Sequence, residues 1–178
     1  MAKSKAEVKV RTMKVCDFNA VFSIDQQIRV TGQAITYASI TAEDIFNINE
    51  DVRRLAYPVS YVDFITRDMS GQLELGLVAE VEDEVRGFIL GRAVHVGEAP
   101  TEVGEISILG VAPDYQRRGI GTELVNAIFK RFEDKGIETV RIQIDQRDKE
   151  LLGLFKRMGF KTRYLLEYYK PVKNATQE

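Results

Sequence analysis

The stretch Gln116-Arg117-Arg118-Gly119-Ile120-Gly121-Thr122 combines residue types and spacing suited to one task, the holding of an anion. An apolar run from Ile106 to Ala112 leads into it and reads as a strand, and Pro113-Asp114 then supplies a turn signal. From Ile120 onward, Leu124, Val125, Ile128, Phe129 and Phe132 recur at helical spacing along one face. The two glycines therefore stand where a helix starts and its first N–H groups lack intrahelical partners. Such a start carries a partial positive charge and bare donors, which suit a phosphate. Arg117 and Arg118 add charge there. Two common phosphate loops are excluded. No Lys-Ser or Lys-Thr pair follows the glycines, and the third glycine of a dinucleotide fingerprint is replaced by Leu124.

The whole chain gives such a loop one domain to sit in. Its 178 residues are enough for a single unit, 1–178, with a full core, and about 174–178 read as a loose tail. Apolar and charged fractions of 44% and 29% are those of a soluble globular protein, and a net charge of −2 gives no reason to expect nucleic acid. The single cysteine, Cys16, has no internal disulfide partner and suits a reducing compartment. The basic start Met1-Ala2-Lys3-Ser4-Lys5 is followed by no apolar signal core, and no apolar run approaches membrane-spanning length. A cytoplasmic protein without a membrane partner is expected. His95 is the lone histidine, so no metal cluster is expected around it.

Patterning places the other elements. Val8–Met13 alternates as a first strand, and Asp17 is the expected cap of a helix to about Val30, ended by Thr31-Gly32-Gln33. Weaker helices are expected from Thr41 to about Arg54 and from Tyr61 to Met69. Leu75–Val81 and Glu84–Val96 read as a hairpin turning at Glu82-Asp83, followed by a polar loop, Gly97–Val103. The central strand is Gly104–Ala112, with Glu105, Ser107, Leu109 and Val111 on one face and Ile106 and Ile108 on the other. Gly119–Lys135 is the helix after the loop, and Val140–Asp145 the next strand. Asp148 caps a last helix to about Met158 with Gly159 as its C-cap, and Phe160–Tyr169 closes as one or two strands.

The loop, the strand ending in Val111-Ala112-Pro113 and the order of elements together resemble the GCN5-related N-acetyltransferase (GNAT) superfamily. Val78-Ala79-Glu80 with Val85-Arg86-Gly87-Phe88-Ile89 is similar to that family's β2–β3 hairpin. Asp148, Leu151, Leu154-Phe155 and Met158-Gly159-Phe160 are similar to its closing motif. The resemblance is continuous from about Leu75 to Phe160, and the loop is similar to that of RimI-type protein N-acetyltransferases. It implies an α/β fold with a mixed sheet of six or seven strands, splayed between the fourth and fifth, and about four flanking helices.

What the resemblance implies for chemistry is transfer of an acetyl group from acetyl-CoA to a primary amine by direct attack, without a metal. A protein N-terminal α-amine is one acceptor; a small amine or polyamine is another, and a non-catalytic acyl-CoA-binding module is the alternative class. A homodimer is left open. The pantetheine arm would lie along Leu109, Gly110 and Val111. The pyrophosphate would lie on the backbone of Arg118, Gly119, Ile120, Gly121 and Thr122, with Gln116 and Arg117 beside it. Leu109 would donate its N–H to the oxyanion, and Glu105 would be the base. Otherwise Glu105 is a strand-end carboxylate paired to a surface cation. Glu98, Glu102 and Glu105 would make an acidic acceptor mouth. Two positions depart from the family: its usual tyrosine acid is Phe155, and its usual asparagine is Asp148. Tyr115, Tyr164, Tyr168 and Tyr169 offer other phenols, with nothing to select one.

Overall fold

The computed structural model describes residues 7–30, 73–96, 101–144 and 149–162. The helices expected at Thr41–Arg54 and Tyr61–Met69, the end of the first helix at Thr31-Gly32-Gln33, and the tail lie outside them. So do Asp148, Glu98 and residues 163–169 of the expected closing strands, while residues 160–162 form no strand.

Five strands form one mixed sheet in the order β1-β2-β3-β4-β5: Lys9–Thr12, Leu77–Val81, Glu84–Val96, Thr101–Val111 and Val140–Ile142. The first four pair antiparallel, and β5 runs parallel to β4. Residues 73–75 are helical, so β2 starts later than its apolar run suggested. Conversely, β4 starts at Thr101 inside the expected polar loop, because Thr101, Glu102 and Val103 find cross-strand partners in Val96, His95 and Val94. Glu82 and Asp83 both adopt left-handed backbone (φ 55° and 61°), as a two-residue hairpin turn requires.

Each face of the sheet has its own core. Helix α1, Phe18–Val30, seats Val21, Ile24 and Ile28 on Val78, Phe88, Leu90 and Ile108. Helix α2, Ile120–Asp134, lays Leu124, Val125, Ile128 and Phe132 over Leu77, Ala79, Ile89 and Ile106 on the opposite face. Burial of each such side chain is worth about 1.5–3 kcal/mol, which fixes the helix against the sheet. Close approach is possible because the sheet is bare beneath the ring of Phe132: a Cβ on Gly91 or Gly104 would come within 2.9 Å of it. Helix α3, Lys149–Arg157, adds the buried Phe155 to the same core.

Asp17 does not cap α1 in the expected way. It sits in a 3₁₀ turn, Val15–Asp17, where its carboxylate accepts the Lys14 N–H at 2.7 Å and a forked pair of bonds from Arg11 at 2.6 and 2.8 Å. Charge wins over capping here, since Arg11 also reaches Glu80 at 2.7 Å and thereby ties β1, β2 and the turn together.

Candidate active site

The loop between β4 and α2 is built by backbone geometry more than by side chains. Pro113–Tyr115 forms a 3₁₀ turn, and the Gln116 side chain reaches back to donate to the Val111 carbonyl at 3.1 Å. Arg117 and Gly119 then adopt left-handed backbone, with φ of 61° and 89°. Only glycine takes this conformation at little cost, so Gly119 is explained and Arg117 carries strain. Together they turn the chain so that α2 begins at Ile120 with Gly119 as its N-cap and no side chain capping it. The N–H of Glu123 already bonds to the Gly119 carbonyl at 3.1 Å, which leaves the donors of Ile120, Gly121 and Thr122 at the open helix end. A Cβ on Gly119 would meet nothing within 4 Å. The space and donors fit a pyrophosphate.

The two arginines of the loop have partners of their own. Arg117 pairs with Glu150 at the start of α3, at 3.1 Å. Arg118 donates to the Asp114 carbonyl at 2.6 Å, and its guanidinium lies 4.8 Å from the Tyr115 ring centre. Arg86 lies over the same ring at 4.6 Å. Tyr115 is therefore the packing core of the loop.

Beneath the helix start, β4 stays paired with β3 as far as Val111. It pairs with β5 only at Gly104, Glu105 and Ile106, opposite Val140, Arg141 and Ile142. Past Ile106, Leu109, Gly110 and Val111 have no β5 partner among the described residues. The β4–β5 pairing stops at Ile106 and Ile142, and residues 145–148, where the splay expected between the fourth and fifth strands would show, lie outside those described. Leu109 is buried and points to the α2 side, 3.9 Å from where a Cβ on Gly121 would lie. Leu154 of α3 approaches the same point at 3.5 Å. Leu109, Gly121 and Leu154 thus meet at the start of α2.

The expected sharing of one face by Glu105, Leu109 and Val111 is corrected. Leu90 pairs with Ile108 and Gly91 with Ile106, so Ser107 is an extra residue on β4, a bulge. Alternation reverses across it, because one added residue turns every later side chain over. Ile106, Leu109 and Val111 consequently belong to the α2 core, and Ile108 to the α1 core. Glu105 lies on the α1 side, away from Leu109. The Ser107 hydroxyl is buried and has no hydrogen-bond partner among the described residues.

Glu105 is 7% exposed and held from both neighbouring strands. Arg92 on β3 gives Oε1 two bonds, from Nε at 2.8 Å and Nη2 at 2.5 Å. Arg141 on β5 approaches Oε2 with Nε at 2.8 Å and Nη2 at 2.6 Å. A carboxylate offers about four in-plane acceptor sites, and these contacts use them all. Neither arginine stands out in the sequence. Both emerge only once register sets them opposite Glu105. The acidic mouth is not formed by the described residues: Glu105 is outnumbered by cations, and Glu102 lies with His95 at 3.5 Å on the opposite face.

Phe155 is 2% exposed and meets Phe160 edge-on, with ring centres 4.8 Å apart and planes at 87°. The end of α3 explains the contact. Gly159 takes φ 86°, its N–H bonds to the Lys156 carbonyl at 3.1 Å, and the Phe160 N–H bonds to the Phe155 carbonyl at 3.0 Å. That is the glycine-terminated helix end in which the residue after the glycine packs on the last turn. Gly159 is the expected C-cap.

Known proteins share this arrangement. Residues 42–160 match the model of the Acetyltransferase (GNAT) family. An N-alpha-acetyltransferase of Sulfurisphaera tokodaii is 30% identical over 126 residues, covering 66% of this chain and 75% of the relative. Among solved structures, the PaiA N-acetyltransferase of Thermoplasma acidophilum in complex with coenzyme A superposes with a TM-score of 0.61 at 21% identity, over 88% of this chain and 91% of that one. The ribosomal-protein-S18-alanine N-acetyltransferase of Escherichia coli gives 0.58 at 17% identity, over 87% and 78%. On the family match over residues 42–160 and the Sulfurisphaera tokodaii relative, the chain belongs to the GNAT family of acetyltransferases.

Proposed function

We propose that the protein transfers the acetyl group of acetyl-CoA to the α-amine of a protein or peptide N-terminus. The observation that carries this reading is the edge of β4 from Leu109 to Val111, which has no β5 partner among the described residues and ends under the donors of Ile120, Gly121 and Thr122. The helix start would take the pyrophosphate, and the β4 edge would take the amide-bearing arm. The likeness to a relative named for α-amine acetylation supports the choice of acceptor.

The bound co-substrate supplies an activated thioester carbonyl. The amine nitrogen forms a C–N bond to that carbon, the C–S bond breaks, the amine gives up one proton, and the sulfur leaves as a thiolate that solvent protonates. Protonation by a residue in α3 is not needed, since a thiol of pKa about 8.5 leaves readily. Phe155 has no proton to give. Backbone N–H at Leu109 would steady the oxyanion. Deprotonating an α-amine of pKa near 8 costs about 1.4 kcal/mol at pH 7, against roughly 4.6 for a lysine-type amine near 10.4. An α-amine therefore reacts from its own neutral fraction. Glu105, with its acceptor sites filled, serves by holding Arg92 and Arg141 in place; it could take a proton only after one of them moved.

The test is thiol release from acetyl-CoA with peptides bearing a sole α-amine, beside α-blocked lysine peptides and polyamines. Preferred turnover of the α-amine peptides is expected. Preferred turnover of the polyamines would reassign the acceptor.

A further inference from the structure

We propose that Arg92 and Arg141 form a binding site for a carboxylate on the acceptor, so that the preferred amine is a peptide N-terminus with an acidic side chain at its second or third residue. The proposal rests on the acetyltransferase reading above and adds a substrate class to it.

Three charges stand side by side on adjacent strands, since Arg92 pairs in register with Glu105, and Glu105 with Arg141. At a strand spacing of about 4.8 Å, the two arginine backbones lie roughly 10 Å apart with the glutamate between them. Each guanidinium spends its Nε and Nη2 on Glu105. The Nη1 group of each is left over, and among the described residues neither meets an acceptor. The exposures differ sharply: the Glu105 side chain is 10% exposed, those of Arg92 and Arg141 47% and 49%. One arginine would have neutralised the buried carboxylate. The second leaves a net positive site on two half-exposed side chains, each with an Nη1 group left to donate to a second carboxylate.

The position also suits an acceptor. The bulge at Ser107 puts Glu105 and its two arginines on the face opposite α2, so they do not compete for the anion at the helix start. Glu105 is four residues from Leu109, about 13 Å along the strand. An amine beside Leu109 on an extended peptide advances about 3.3 Å per residue, so its second and third residues lie roughly 3 and 7 Å along, and the lengths of an acidic side chain and of the arginines span the remainder. The nearby Glu102 is turned to the other face with His95 and does not oppose such a ligand.

The experiment uses the full chain, acetyl-CoA and C-terminally amidated peptides that differ only by Glu or Gln at the second or third position. A further peptide carries only a C-terminal carboxylate and separates that source from a side chain. The expected result is a kcat/KM about tenfold higher for a Glu peptide, carried by KM and reduced by salt. Arg92→Gln and Arg141→Gln should bring the Glu-to-Gln ratio towards one, and Arg92→Lys should restore part of it. Equal kcat/KM for the two peptides in the wild type overturns the proposal while leaving the acetyltransferase reading intact, and it does so even if the arginine variants fail to fold. If no peptide is turned over, fluorescence anisotropy of labelled peptides decides the matter alone. Tighter binding of the Glu peptide that is lost in the variants supports the site, and equal binding overturns it.

Discussion

Glu105 and Leu109 lie on opposite faces of β4, because Ser107 between them has no counterpart on β3. The carboxylate therefore lies on the face opposite α2, bonded to Arg92 and Arg141. Glu105→Gln keeps the shape and removes the charge that holds Arg92 and Arg141 at 2.5–2.8 Å. The expected outcome is a higher acceptor KM, a modest fall in kcat, and an unchanged acetyl-CoA affinity by calorimetry. The rate of both enzymes should rise with pH through about 8, following the neutral α-amine. A fall in kcat of about 10²–10⁴-fold at neutral pH, shrinking as pH rises, would instead establish Glu105 as the general base.

Gly121 sits between Leu154 and Leu109 at the helix start, with room for a Cβ at 3.5 and 3.9 Å. Gly121→Ala should consequently fold and keep its affinity for acetyl-CoA within a few-fold. Gly121→Glu places a carboxylate beside the donors of α2 and should abolish binding or weaken it by more than about tenfold. Calorimetry on both folded variants checks the pair, and unaltered affinity in Gly121→Glu removes the pyrophosphate from this loop.

Gly119→Ala addresses a different property of the same loop. No neighbour lies within 4 Å of the added methyl, so any cost arises from the φ of 89°. That cost is about 1–2 kcal/mol for a residue with a Cβ. Denaturant unfolding should report a loss of this size, and a neutral result would mean that the loop takes another conformation.

Much of this site was legible in the sequence because short-range rules dictate it. Gly119 and Gly121 beside the apolar face of Leu124, Val125, Ile128 and Phe132 announce an open helix start, and Gly159 before Phe160 announces a helix end. Strand boundaries at Thr101 and Leu77 were less legible, since cross-strand partners decide them. The reversal at Ser107 was hidden for a related reason. A bulge is a count of residues on two strands, and Leu90-Gly91 and Ile106-Ser107-Ile108 carry no local mark of it. Arg92 and Arg141 were missed because only register brings them to Glu105. Asp17 looked like a helix cap because nothing nearby in the chain revealed Arg11 and Glu80 as a charge network.

Phe155 fills the core at the position where the family resemblance leads one to expect a tyrosine, and its ring meets Phe160 edge-on. Phe155→Ala should cost about 3–5 kcal/mol, as for other buried phenylalanines, and loosen the end of α3. Phe155→Tyr must place a hydroxyl in surroundings that bury the ring to 2% exposure. Stability should fall slightly, with cofactor affinity retained, and any rise in kcat would show that the phenol reaches the leaving sulfur. Thermal unfolding and steady-state rates measured on the same preparations separate these effects.

The Arg11–Asp17 pair makes part of the stability depend on pH. Arg11 donates two bonds to the Asp17 carboxylate, the Lys14 N–H adds a third, and the residue is 5% exposed. The guanidinium's hydrogen bonds hold the Asp17 carboxyl below its ordinary value, against the opposing effect of burial. A group whose pKa is lower in the folded protein than in the unfolded chain stabilises the fold at pH above the unfolded value, about 3.9. That stabilisation is lost as pH falls through the folded value, when the native state must also take up the proton. Asp17→Asn keeps the size of the side chain and removes the titration. At pH 7 it should be less stable by about 1.5–3 kcal/mol, the worth of hydrogen bonds to a charged group. The wild type's lead should persist down to about pH 5 and narrow below pH 4, because only the wild type has this carboxylate to protonate. Urea unfolding of both proteins at several pH values between 7 and 3 measures the gap. A gap that stays constant across that range would mean that Asp17 stabilises the turn by its shape and not by its charge.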